Sequence, residues 1–156
     1  MIRTFLSAFC LVIWANVALA ADCTKNAVML RGDWGQARFN IDLAEDERAR
    51  AVGLMHRQSM SRSSGMLFVY PQPQALTFWM RNTLIPLDML FIDATGVVTH
   101  IHENAIPHDE TPIPGGTGLA VLEINGGMAR AMGITVGSQL RHPSFDQDTA
   151  AWRCAS

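Results

Sequence analysis

The chain has 156 residues, with 12 basic and 14 acidic side chains and a formal charge of −2 at pH 7. Lys25 is its single lysine and its arginines are scattered, so no basic stripe exists to follow a phosphate backbone, which argues against a nucleic-acid partner. The length suits one domain with one core.

Residues 1 to 20 read as a secretory signal. Arg3 supplies a positive n-region, Phe5 to Ala18 is apolar except for Ser7 and Asn16, and Ala18-Leu19-Ala20 fits the small-x-small cleavage rule. The apolar run is shorter than the roughly 20 residues that a membrane-spanning helix needs. The expectation is therefore cleavage after residue 20, a single β-rich domain over 21–156, a periplasmic or secreted location and no stable membrane span afterwards. Cleavage removes Arg3 and no acid, which leaves a mild acidic excess. It also removes Cys10, leaving Cys23 and Cys154 near the two ends. An even pair in an oxidising compartment predicts a disulfide, and two free thiols are the alternative.

Ala27 to Leu30 is an apolar run, and Gln36 to Leu43 alternates strictly, with Ala37, Phe39, Ile41 and Leu43 on one side. With Gly32-Asp33-Trp34-Gly35 between them, the two segments predict a hairpin with a loop of several residues. From Glu45 to about Met55 the period changes to that of a helix. Glu45, Asp46 and Glu47 stand in its first turn, Asp46 can pair with Arg50, and Ala49, Val52 and Met55 face the core. Further strands are predicted over Met66 to Tyr70, stopped by Pro71 and Pro73, then Leu76 to Met80, Leu87 to Ile92, Val97 to His102 and Leu119 to Ile124. Asp93 to Gly96 reads as a turn. Ile106 to Gly118, rich in proline and glycine, reads as a long irregular loop, and a short helix is predicted over Gly127 to Met132. Many short strands with one or two added helices predict a mainly β fold, a compact β-sandwich or small barrel.

Several blocks carry a recognisable signature: Arg50-Ala51-Val52-Gly53-Leu54-Met55, Gly65-Met66-Leu67-Phe68, Phe78-Trp79-Met80-Arg81-Asn82-Thr83 and Ile85-Pro86-Leu87-Asp88-Met89-Leu90-Phe91-Ile92-Asp93. Val121 to Ile124 with Gly126-Gly127 follows, then Gly133-Ile134 and Gly137. In order and spacing, from about Phe39 to Leu140, the chain resembles the bacterial and archaeal family called domain of unknown function 192. The resemblance implies a compact β-rich fold and often a signal peptide, and it implies no function. The family's motif positions fall on Met55, Met66, Trp79, Met80, Asn82, Thr83, Pro86 and Asp88. Arg81 stands where most members have lysine.

On a strand, Asp88 shares a face with Leu90 and Ile92, so its carboxylate needs partners. It either accepts backbone N–H bonds that tie down the Asn82 to Pro86 loop, with Arg81, Asn82 and Thr83 nearest in sequence, or it lines a pocket as a perturbed acid. The chain has nine methionines, one of them the initiator. Met55, Met66 and Met80 with His56 form a soft set suited to Cu(I), and His100 and His102, two apart on a strand, could share a metal. Core packing and unliganded histidines are the competing readings. No G-x-S-x-G elbow, HExxH pair, deaminase cysteine pair or phosphate loop occurs, so no catalytic residue or cofactor is assigned.

Three functions stay open. The first is a non-enzymatic module that binds a small molecule or an envelope protein through Trp79, Met80, Arg81, Asn82 and Asp88. The second is a hydrolase built on Asp88, Glu103 or Glu123. The third is a soft-metal binder.

Overall fold

The computed structural model describes residues 23–154, so the expected signal over residues 1–20 lies outside the described residues. The elements in chain order are β1 (Ala27–Gly32), β2 (Gly35–Ala44), α1 (Glu47–Val52), β3 (Ser64–Phe78), β4 (Leu87–Ile92), β5 (Val98–Ala105), β6 (Ile113–Asn125), α2 (Met128–Met132) and β7 (Gln139–Arg141). All seven strands join one sheet in the order β5-β4-β6-β3-β2-β1-β7. Only β2 and β3 run parallel, which is why the chain crosses between them through α1.

The fold is mainly β, as expected, and its single curled sheet is nearer to the small barrel than to the sandwich of the two expected forms. Curling brings the sheet's two ends together at one point, where Val97 bridges Gln139 and the Val98 N–H donates to the Ser138 carbonyl at 2.8 Å. The result is a half-barrel. One core fills its hollow, built on Leu30, Phe39, Leu67, Leu90, Leu122 and Ile124. A second core lies on the opposite face, built on Phe68, Leu76, Met80, Met89, Phe91 and Val121. Strand β4 is buried on both faces, which explains its unbroken apolar sequence apart from Asp88.

Four expectations are corrected. The β1–β2 connection is a tight turn, because Gly32 already pairs with Gly35. Pro71 and Pro73 do not end a strand: β3 runs through them, and the register against β6 shifts between Val69 and Gln74, where residues without an N–H are tolerated. The expected loop becomes strand from Ile113 onward. Gly115 lies there without a side chain because a Cβ would stand 1.8 Å from the Phe91 ring. Helix α1 is short. Asp46 caps it by accepting the Ala49 N–H at 2.7 Å instead of pairing with Arg50, and Val52 faces outward. The three-residue β7 was too short to leave a period in the sequence.

Cys23 and Cys154 form the expected disulfide, joining residues 131 apart with their Cα atoms at 5.5 Å. It pins the first described residue to the last.

Candidate functional site

Strand β3 ends at Phe78, and the segment after it is held from two sides. The Met80 N–H donates to the Asp109 carbonyl at 2.8 Å, and the His56 N–H donates to the Asn82 carbonyl at 2.9 Å. The Met80 side chain is fully buried and acts as an anchor. Its neighbours Trp79 and Arg81 therefore project to the surface. Trp79 stays 52% exposed, and Val52, at the end of α1, is 51% exposed. Both large apolar side chains stand at the rim of one cavity of about 160 Å³.

Phe68, Phe78, Leu54 and Thr83 line this cavity from the core side, with Tyr70 and Arg50 also in its wall. The Phe68 and Phe78 rings meet edge to face at 5.1 Å, which fixes the wall. Arg50 Nη1 donates to the carbonyls of Glu45 at 2.6 Å and Val69 at 2.9 Å, and its guanidinium lies 5.0 Å over the Tyr70 ring. Burial pushes the Tyr70 hydroxyl above its usual acidity range, with Arg50 pulling it down and Glu123 pushing it up.

The remaining polar group is Glu123. It sits on β6 opposite Met66 of β3 and Met89 of β4, so two thioethers flank its side chain. It is 4% exposed, lines the cavity, and makes no hydrogen bond or ion pair with any described residue. Loss of hydration raises its pKa to about 8, so the carboxyl is mostly neutral at pH 7.

Asp88 has the opposite circumstances. It is fully buried on the hollow side, where Oδ1 accepts the N–H groups of Asn104 at 2.8 Å and Gly127 at 2.9 Å, and Oδ2 accepts the Ala129 N–H at 2.7 Å. Accepting backbone N–H bonds was one of the two sequence readings. The segments it ties are the end of β5 and the start of α2, and the Asn82–Pro86 loop takes no part. Arg81, Asn82 and Thr83, nearest in sequence, are not its partners. Of the five ligand-binding candidates, Trp79 and Arg81 meet at the cavity, Met80 is core, Asn82 contributes its backbone at a positive φ of 53°, and Asp88 lies across the sheet.

The candidate metal residues take different places. Met66 and Met80 are packed in the second core, Met55 lines the cavity, and His56 is exposed. His100 and His102 lie on β5, and the His100 ring packs 5.6 Å from Phe91. Among the described residues no group of three or more His, Cys, Asp or Glu could hold a metal ion. A larger groove of about 730 Å³ along β2 is polar, and its charged groups pair with each other, Arg57 with Asp42 at 2.7 Å and Lys25 with Glu45 at 4.0 Å.

Sequence reasoning missed Tyr70, Arg50, Phe78 and Thr83 as wall residues and gave Glu123 only a minor part. A signal for Glu123 was present: it is the one charged residue in the otherwise apolar run Leu119 to Ile124.

The fold and site thus define a single-sheet β protein with one mixed aromatic and polar cavity. Residues 28–142 match the family called DUF192, uncharacterized ACR, and the chain belongs to it. A crystal structure from Novosphingobium aromaticivorans, of a protein of unknown function, is 44% identical; the match covers 73% of this chain and 82% of that one, with a TM-score of 0.72. Another, from Sinorhizobium meliloti, is of a protein conjecturally named a transcription regulator; it is 36% identical, with 80% and 98% covered and a TM-score of 0.75. A search of curated proteins finds none that matches.

Proposed function

We propose that this chain is an exported, non-enzymatic binding module and that the cavity beside Trp79 receives a small ligand. The observation that carries this reading is Glu123, a buried carboxyl with no protein partner that opens onto a cavity. Desolvating such a group is costly, and structural acids are buried with partners, as Asp88 is. A ligand is the partner that Glu123 lacks. A cavity of about 150 Å³ accommodates a benzene-sized molecule, so the ligand is one ring or a short chain in size. Half-exposed Trp79 and Val52 supply an apolar rim that a ligand covers. The signal-like residues 1–20 and the disulfide support export.

A two-carboxylate hydrolase is less well supported. Its second acid is missing from the wall, since Asp88 is committed to three N–H donors and Glu103 pairs on the surface with Arg130 at 2.6 Å. Of the two soft-metal sets, Met66 and Met80 are packed in the second core, and β4 and β6 separate the His100 and His102 pair on β5 from β3. Native mass spectrometry of the mature protein from its own compartment tests the proposal. Wild type should carry a small retained mass that Trp79→Ala loses; identical, unliganded masses for both would sink it.

A further inference from the structure

The charge of the cavity wall narrows the ligand class. The polar side chains in the wall are Arg50, Tyr70, Thr77, Arg81, Thr83 and Glu123. Glu123 is the only acid among them, and burial keeps it mostly neutral at pH 7. The two guanidiniums keep their charge at any working pH. Glu110, at 4.0 Å from Arg81 Nε, offsets little of it because both side chains are more than half exposed. Apart from Nη1, the N–H donors of Arg50 bond no described residue. Every polar wall group can therefore donate a hydrogen bond at neutral pH, and the net field is positive.

We infer that the ligand is a small organic carboxylate, its body against Trp79 and Phe78 and its anionic group received by the donors of Glu123 and Tyr70 in the field of Arg50. This rests on the cavity being the binding site. A carboxylic acid donating to a carboxylate makes a charge-assisted bond of the strong kind. An organic cation would meet two guanidiniums and would have to ionise Glu123 first. A neutral ligand would leave the positive field unanswered. Arg50, Tyr70 and Glu123 all line the one cavity, and the charges of Arg50 and Glu123 both act on the Tyr70 hydroxyl.

Three probes that share one phenyl ring and differ in charge separate the cases: benzoate, benzamide and benzylammonium, titrated into the disulfide-intact mature chain at pH 6.5 while the Trp79 indole is followed by NMR. Benzoate should bind about tenfold or more tighter than the other two. Its affinity should fall about tenfold per pH unit above pH 8, and Glu123→Gln, which keeps a donor and does not titrate, should abolish that fall. Preference for benzamide or benzylammonium at Trp79 would overturn the carboxylate assignment and leave the cavity as a binding site. No response to any of the three at about 10 mM would overturn both. A pH dependence of benzoate binding unchanged in Glu123→Gln would remove Glu123 from the contact.

Discussion

Asp88 and Glu123 stand one register step apart on neighbouring strands and face opposite sides of the sheet. Asp88 pairs with Ile124 and Met89 with Glu123, so a shift of one residue changes the face and the fate of a carboxyl. On the hollow side three N–H donors converge on Asp88; on the other side two thioethers flank Glu123 and it lines a cavity. Asp88 holds the structure, and Glu123 is held by it at a cost.

For Asp88 the expected effect is on folding. Asp88→Ala orphans three N–H groups, two of them at the start of α2, and should destabilise by at least about 3 kcal/mol in urea unfolding. Asp88→Asn keeps one acceptor oxygen but turns an amide N–H₂ toward other donors, so it should fall between Ala and wild type. Wild-type stability in both variants would contradict the assigned role.

For Glu123 the effect is on pH dependence. Its folded pKa, about 8, lies above the ordinary 4.5, so its contribution is fully present below about pH 4.5 and is lost as pH rises toward 8. The slope is about 1.4 kcal/mol per pH unit within that window. Glu123→Gln should remove the slope and raise the melting temperature at pH 8 relative to wild type, while weakening retention of the ligand. Parallel stability curves for wild type and variant between pH 5 and 8 would contradict it.

The different legibility of the two acids follows from what pattern encodes. Alternation over Gln36 to Leu43 exposed β2, because one of its faces meets water. Both faces of β4 are buried, so its sequence revealed a strand and an anomalous Asp88 without showing which N–H groups would reach it from residues 104, 127 and 129. Those partners are set by β5 and α2, distant in sequence. Trp79 and Arg81 were legible only as part of a motif block that also put the buried Met80 forward as a contact, because the alternation that turns them outward shows in the structure and not in the sequence. Arg50, Tyr70 and Glu123 meet only through the parallel β2–β3 crossover and the β3–β6 pairing, which no local period reveals.

A second pH response should come from His142. It is buried, its Nε2 donates to the Lys25 carbonyl at 3.1 Å, and its Nδ1 accepts the Ser144 N–H at 3.2 Å, an arrangement that requires the neutral ring. Burial lowers its pKa below the ordinary 6.5. The unfolded chain then binds the proton first, so stability is present above pH 6.5 and is lost as pH falls through the folded pKa. This runs against the Glu123 slope in the overlapping window. In the Glu123→Gln background, stability should therefore fall on acidification below pH 6.5, and His142→Gln should flatten that fall. A fall of the same size in both would place its origin elsewhere.

The disulfide closes a loop of 131 residues, for which the chain-entropy model gives about 5 kcal/mol at 25 °C. Residual structure in the reduced unfolded chain lowers that figure, and in the folded chain other contacts also dock the C-terminal segment. The Trp152 ring has the guanidinium of Arg31 at 4.3 Å and that of Arg141 at 4.7 Å, and the Cys154 N–H donates to Gln147 Oε1 at 2.7 Å. These contacts hold the ends near each other in the reduced folded chain, but they do not restrict the reduced unfolded chain, where the entropic gain arises. A Cys23→Ser/Cys154→Ser variant should thus still fold and bind at the cavity, with a loss of about 2–4 kcal/mol in urea unfolding. Alkylation of the native protein should add no mass before reduction and two labels after it. Two labels without reductant would show that the bridge does not form, and a reduced chain that fails to fold would show that the docking contacts depend on it.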